Sequence, residues 1–392
     1  MRISIVVVLV MLTSILSAQQ SIVPFLQAVE ENNLTLKRLR AQADAVIVGN
    51  KTGLNPSNPQ IEYIYQWGNT NELGNKQEFH VRQSFDFPSA YRYRKQMMNS
   101  LNEKAESDYL NAYNAVMLNA QQILFRIIYY KALINEYEIR LEHAREIAKA
   151  FHIKFDEGDA NIIERNKADI NLLNAQNDFA QLASAQQILM EQLQSVNGGQ
   201  IINFDNEDWP LTVLPSDFEL WFNENADIIP QLQSLSIDLY ASQYNEKLNK
   251  AMTLPKLTGG YSSESSNVDK FKGVNVGITI PLWENKNTVK QAKLNTLMKE
   301  TELADERLKL YHGLRALYHQ AQKMQQVAAD YDESLSAFSN AELLQTALEN
   351  GQITILEYMV ELSIYYQAVE NALNAQLNYH TSLAQMKAFQ LN

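Results

Sequence analysis

The chain has 392 residues, 46% of them hydrophobic, and a formal net charge of −12 at pH 7, a balance that argues against a nucleic-acid partner. It contains no cysteine, which excludes disulfides, thiolate metal sites, a cysteine nucleophile and an acyl anchor on cysteine. Only 13 glycines and 9 prolines are present, and most fall between the predicted helices.

Residues 1–18 read as a secretory signal: Arg2 is a short positive start, Ile3 to Leu16 an apolar core, and Ser17-Ala18 a small-residue cleavage site. That core is short of the roughly 20 apolar residues a spanning helix needs. Pro24–Asn33 and Leu34–Val48 read as helices, the second with Leu36, Leu39, Ala43 and Val46 near helical spacing, before Gly49, Gly53, Pro56 and Pro59 break the chain. Ile61, Tyr63, Tyr65 and Trp67 then form the apolar face of a strand, with Glu62, Ile64 and Gln66 opposite. After a polar loop at Gly68–Lys76 a second strand alternates Phe79, Val81, Phe85 and Phe87 against His80, Arg82, Ser84 and Asp86. Strands of about 9–11 residues with one greasy face match the thickness of an outer membrane when tilted. Pro88 suits a first helical position. No glycine or proline follows until Gly158, which predicts a helix of about 70 residues, roughly 105 Å long.

The chain turns at Phe155-Asp156-Glu157-Gly158-Asp159 and returns as a helix to about Val196. Along it Leu172, Ala175, Phe179, Leu182, Gln186, Leu189, Leu193 and Val196 follow heptad steps of three and four. Residues 198–216 are an irregular connector. The scheme then repeats: helical pieces from Asp217 to about Met252, a hairpin at Leu257–Ile280, a proline, Pro281, expected to open a long helix, the turn Glu349-Asn350-Gly351-Gln352, and a last helix. That helix carries the seam Met359, Leu362, Tyr366, Val369, Leu373, Gln376, His380 and Leu383. Pro88 and Pro281 lie 193 residues apart, as do Gly158 and Gly351, Glu164 and Glu357, and Asn32 and Asn225. A shared offset marks a tandem duplication, with a first helix–hairpin–helix repeat at 19–197 and a second at 217–392.

Four strands cannot close a barrel, since small closed barrels need about eight, and bare sheet edges cannot face lipid. The chain must complete a barrel with copies of itself: two copies give eight strands, three give twelve.

The duplicated helix–hairpin–helix unit, the strand-to-helix prolines and the tip turns Lys154–Gly158 and Ala347–Gly351 resemble the TolC-like outer-membrane efflux family over essentially the whole mature length. That resemblance implies a mainly α fold with a β-barrel portion. It further implies a homotrimer in which a 12-stranded transmembrane barrel is continued by an α-helical barrel across the periplasm. The implied long helices are continuous; the run from Ser89 to Glu157 without glycine or proline fits, with Gly313 the one interruption of such a run in the second copy. The implied function is an outer-membrane exit duct working passively with a periplasmic adaptor protein and an inner-membrane pump of the RND type, without cofactor or resident metal. Val81–Phe87 and Ile280–Lys286 look closest to the heavy-metal efflux branch. The implied docking points for the adaptor are Phe155, Asp156, Glu157, Gly158 and Asp159 at the first tip and Glu349, Asn350, Gly351 and Gln352 at the second. The family's acidic periplasmic constriction falls on Glu357, with Glu164 at the equivalent place in the first copy. The next acidic position falls on Val360, beside Glu361, and the basic and aromatic partners of the closed-state lock fall on Ile353 and Leu348, which cannot play that part.

Three carboxylates meeting around an axis would concentrate cations and create a divalent-ion block. The alternative for Glu357 is a solvated acid on a helix surface. The six histidines, His80, His143, His152, His312, His319 and His380, form no cluster with ligand spacing. Two other functions stand beside a metal-efflux duct: a drug-efflux or type I secretion duct of the same fold, and a soluble periplasmic coiled-coil scaffold. No phosphate loop, ligand cluster or nucleophile motif points to an enzyme.

Overall fold

A computed structural model describes residues 22–69, 74–267, 269–337 and 341–391. The signal reading of residues 1–18 lies outside them, as do parts of both hairpin loops. The elements run α1 (Val23–Asn32), α2 (Leu34–Asn50), β1 (Gln60–Gln66), β2 (Lys76–Phe85), α3 (Pro88–Glu157), α4 (Ile162–Val196), α5 (Phe218–Asn225), α6 (Pro230–Ala251), β3 (Lys256–Ser265), β4 (Lys270–Thr279), α7 (Thr288–Ala337), α8 (Ala341–Glu349) and α9 (Ile355–Met386). Among the described residues no helix is long and apolar enough to cross a membrane.

The 70 residues of α3 form one helix that begins at Pro88, as the sequence predicts. Its counterpart does not. The structure places Pro281 in a turn and starts α7 at Thr288. The reason lies in the residues between: Asn287 takes a left-handed backbone, φ 69°, the Lys286 N–H donates to the Trp283 carbonyl at 3.2 Å, and the Asn285 amide donates to the Met252 carbonyl. Gly313 causes no interruption and sits inside the 50-residue α7; continuity from α7 into α8 falls on residues outside the described set. β2, β3 and β4 have 10 residues each, the length expected, and only β1 is shorter, with 7 residues. β2 ends at Phe85 and not at Phe87, because Asp86 leaves the ladder to donate its N–H to the Tyr91 hydroxyl at 3.0 Å and to pair with Arg94 at 2.9 Å.

The four strands make one antiparallel sheet in the order β1-β2-β3-β4. The register sets Ile61 opposite Val81 and Tyr63 opposite Phe79, Val81 opposite Tyr261 and Phe85 opposite Leu257, and Leu257 opposite Ile278 and Tyr261 opposite Val274. Residues directly opposite share a face, so the alternation read strand by strand becomes one apolar face across the sheet. The other face carries Glu62, Glu78, His80, Arg82, Thr258, Ser262, Asn275 and Thr279, with Ile64 and Phe271 as apolar exceptions.

Contacts divide the described residues into two compact units, each drawing on both halves of the chain. One gathers the described residues up to Arg38, Tyr113–Phe222 and those from Tyr311 on. Its core sets Ile123, Leu124, Phe125, Ile127 and Ile128 of α3 against Leu189 and Leu193 of α4 and Phe204 of the connector. The connector is thus a packed strap: Phe25 meets the Phe204 ring at 4.7 Å, and the Asn32 amide donates to Asn197 at 3.1 Å. The other unit, Leu39–Ala112 and Asn223–Leu310, holds the sheet. Its helices meet through small and polar groups: Arg40 with Glu106 at 2.7 Å, Ser234 with Asp108, Ser242 with Thr296 at 3.0 Å and Lys299 with Asp238 at 2.9 Å.

Candidate functional site

The two tip turns share the same pair of backbone bonds. After α3 the Gly158 N–H donates to the Phe155 carbonyl at 3.1 Å and the Asp159 N–H to that of Lys154 at 2.7 Å. After α8 the Gly351 N–H donates to Leu348 at 3.1 Å and Gln352 to Ala347 at 2.9 Å. Both are Schellman-type ends that satisfy the last carbonyls of the helix and need one left-handed residue. Gly158 supplies it with φ +83° and Gly351 with φ +67°, and a Cβ at either would meet nothing within 4 Å. Conformation, not crowding, selects glycine here.

The predicted tip residues separate into two kinds. Asp156, Glu157, Gly158, Asp159, Asn350, Gly351 and Gln352 are exposed, while the Glu349 side chain lies outside the described set. Phe155 is half-buried, its ring under the Arg165 guanidinium at 4.5 Å, so it braces the turn.

Each return helix then starts with a capping box, in which the two orphan N–H groups are satisfied reciprocally. In α4 the Asn161 side chain accepts from the Glu164 N–H at 3.0 Å and the Glu164 carboxylate accepts from the Asn161 N–H at 2.9 Å. In α9 the Thr354 hydroxyl accepts from the Glu357 N–H at 3.2 Å and the Glu357 carboxylate from the Thr354 N–H at 2.7 Å. Both candidate constriction residues therefore have a local task, which the spacings Asn161-x-x-Glu164 and Thr354-x-x-Glu357 display in the sequence. Glu357 is exposed. Its hydrogen bonds with Thr354, the backbone N–H first, hold its pKa below the usual glutamate range, so it remains an anion at neutral pH. Glu164 is half-buried.

Leu348 is buried in an apolar cluster with Ile147, Phe151, Ala168, Ile355, Tyr358 and Leu362, and Ile353 packs against it. Val360 and Glu361 are exposed. Sequence reading missed a polar tie between α3 and α9. The Arg140 guanidinium lies between the rings of Tyr137 and Tyr366, 4.0 and 4.1 Å from their centroids. It pairs with Glu370 at 2.6 Å, with 9% of its side chain exposed, and donates to the Tyr366 carbonyl at 3.1 Å. Tyr137 donates its hydroxyl to the same Glu370 at 2.7 Å; burial first, then that bond, pushes its pKa up to about 12. The residues are 230 apart in sequence, and no local spacing joins them.

The histidines have separate partners: His143 meets the Tyr366 hydroxyl at 3.2 Å, His152 meets Asp169 at 2.8 Å, and His80 meets Glu78 at 3.1 Å. His380 is stacked on Trp209 of the connector, centroids 4.6 Å apart and planes within 3°, and burial lowers its pKa to about 4. Among the described residues no group of three or more His, Asp or Glu could hold a metal ion.

The sheet offers the other surface. On its apolar face Ile61 is 69% exposed, Tyr63 61%, Val274 84%, Val276 85% and Ile278 65%. A contiguous apolar face of this kind marks a contact with something apolar.

No family model and no curated protein sequence matches the chain. Solved structures do match. The outer-membrane channel OprN aligns with a TM-score of 0.79 at 14% identity, over 94% of this chain and 89% of that one. CusC, from a study of transmembrane channel formation, aligns at 0.78 with 14% identity over 94% and 92%. The CmeC outer-membrane channel of Campylobacter jejuni aligns at 0.72 with 16% identity over 95% and 84%.

Proposed function

We propose that this chain, whose fold is the TolC-like fold of outer-membrane channels, is the exit duct of a tripartite efflux system. In this reading three copies complete a 12-stranded barrel, each contributing the two hairpins of its repeats 19–197 and 217–392. The helices form the periplasmic conduit, and a periplasmic adaptor with an RND-type inner-membrane pump supplies cargo and energy. The observation that carries it is the registered apolar face, exposed from 38% at Tyr261 and 39% at Phe79 to 85% at Val276, on a sheet whose edge strands β1 and β4 each pair on one side only among the described residues. Lipid covers such a face and neighbouring copies close such edges. A soluble scaffold would leave both in water.

The test is a pair of arginines. Ile278→Arg points at lipid and should cost roughly 2–4 kcal/mol per copy, lowering the yield of trimer in the outer membrane. Thr279→Arg lies on the opposite face and should assemble far better. Equal damage from the two would overturn the barrel. A single cysteine at Asn69 should react with an impermeant maleimide on whole cells, and one at Asp159 should not.

Glu357, with Glu164 in support, is our choice for the entrance constriction, and the exposed tip residues are our choice for adaptor docking. The capping box is compatible with this, because a carboxylate held ionised by Thr354 attracts cations over a wide pH range. Hexaamminecobalt on the periplasmic side should block the isolated channel in planar bilayers. Glu357→Gln, which can still cap, should weaken the block without harming assembly. An unchanged block in Glu357→Gln would leave the residue with capping alone. Heavy-metal cations are the cargo we favour, on the resemblance of Val81–Phe87 and Ile280–Lys286.

A further inference from the structure

Between β4 and α7, eight residues belong to neither element, Ile280 to Asn287. They are held firmly. The Asn285 amide donates to the Met252 carbonyl, the Lys286 N–H donates to the Trp283 carbonyl at 3.2 Å, and Glu284 pairs with Lys256 at 2.7 Å. What this anchored turn holds out is apolar: Leu282 is 68% exposed and Trp283 80%. Fixing a turn at three points while leaving its two largest apolar groups in solvent makes sense only if something apolar receives them. The first repeat has no such turn, since Pro88 opens α3 almost directly after β2.

Two observations identify the occupant. The turn continues the exposed face of β4, through Val274, Val276, Ile278 and then Ile280 at 64% exposure. It also runs into a basic stretch at the start of α7, in a chain of net charge −12. Lys286, Lys290 and Lys293 are exposed, and the one acid between residues 280 and 293, Glu284, is paired with Lys256. Tryptophan prefers the headgroup level of a bilayer, and lysines beside it attract anionic phosphates. We propose that the Leu282–Trp283 turn and its three lysines form a foot that seats in the headgroup–acyl boundary of an anionic phospholipid leaflet, at the helix end of the sheet. This rests on the reading of the sheet as lipid-facing and adds the partner for a segment outside it.

The test uses the full-length protein in bilayer nanodiscs containing phosphatidylglycerol and lipids brominated either near the glycerol or near the chain end. Of the four tryptophans, Trp67 and Trp283 are 80% exposed and Trp221 is 8% exposed. Trp209 is stacked on His380. Shallow bromines should quench strongly, and Trp283→Phe should remove about half of that quenching, because tryptophan at headgroup depth is what shallow bromines reach. Replacing Lys286, Lys290 and Lys293 together by Gln should reduce Trp283 quenching in phosphatidylglycerol and leave it unchanged in phosphatidylcholine alone. Val276→Trp, in a background lacking Trp67 and Trp283, reports the sheet itself and should respond to deep bromines. If Val276→Trp is quenched and Trp283 is not, the foot meets protein, a second copy or another chain, and the inference fails alone. If neither is quenched, the lipid-facing sheet falls with it.

Discussion

The return helices α4 and α9 both begin with a capping box three residues past the tip glycine, and then part company. In α4 the heptad seam Leu172, Ala175, Phe179, Leu182, Gln186, Leu189, Leu193 and Val196 is buried or half-buried, while Ile170, Leu173 and Ile188 beside it are 56–64% exposed. The positions 193 further on, Tyr365, Ala368, Ala372, Ala375, Tyr379, Ser382, Met386 and Phe389, are again buried or half-buried. So is the separate seam read from the sequence, Met359 to Leu383. One helix has a single seam, and its copy has two. The second exists because α9 has further partners on that side: Arg140 of α3 at Glu370, Tyr331 of α7 at Asn371, and the connector, where His380 stacks on Trp209 at 4.6 Å. On our reading of the chain as two repeats, the helix start and the first seam are shared, and the two helices differ by what is laid against them.

If that is right, equivalent positions should differ in predictable ways. Tyr358, 2% exposed, is the counterpart of Arg165. Tyr358→Ala should cost about 3–5 kcal/mol, and Arg165→Ala, which removes a ring contact at 4.5 Å, about 0.5–1 kcal/mol, both read from denaturant midpoints. Equal costs would erase the distinction.

The second seam should also titrate. Burial holds His380 at a pKa of about 4, below the ordinary 6.5 of the unfolded chain, so between those values the unfolded chain binds the extra proton. Stability is full above pH 6.5 and is lost as pH falls toward 4, by roughly 3 kcal/mol. The counterpart of His380 in α4, Gln187, does not titrate. His380→Gln should flatten the pH dependence across this window, and Trp209 emission should report the change in the parent. A slope that survives in His380→Gln would place the titration elsewhere.

Arg140→Ala leaves Glu370 with the Tyr137 hydroxyl but no countercharge, and because Glu370 keeps 29% exposure the cost should be at most about 3 kcal/mol. Replacing both Arg140 and Glu370 by leucine should recover most of it, as a thermal melt would show. The smallest effect tests sameness. Asn161→Ala and Thr354→Ala should each cost about 1 kcal/mol, and a marked inequality would mean the two starts are not equivalent.

Much of this was legible in the sequence, and the losses have physical causes. Strand alternation, the glycine-free run of α3 and the tip glycines are local signals, and they placed the hairpins and the reversals. Pro281 misled because the start of α7 depends on a distant acceptor, the Met252 carbonyl, and on one left-handed asparagine. The cluster Glu284-Asn285-Lys286-Asn287 carries turn residues that signal a break before a helix. Glu164 and Glu357 were read for charge, although their spacing from Asn161 and Thr354 also spells a helix start. Whether Glu357 lines a constriction depends on neighbouring chains, and one chain's sequence does not contain that geometry. The Arg140 clamp was invisible because its parts lie in different repeats.

The two middle strands carry a consequence for how the molecule is made. Each hairpin closes locally, but β2 and β3 pair across roughly 170–190 residues of intervening chain, and such distant closure is slow. Until β3 has been delivered, the first hairpin exists with Phe79, Val81 and Phe85 on one side and a free β2 edge, a combination that invites pairing with the wrong chain. Biogenesis thus contains a waiting period, spanning synthesis or translocation of α3, α4, the connector, α5 and α6, during which residues 60–85 need shelter. Refolding in vitro should therefore lose yield steeply with protein concentration, and a synthetic peptide copying β3 and β4, by occupying that waiting edge, should trap the chain before its own second hairpin arrives.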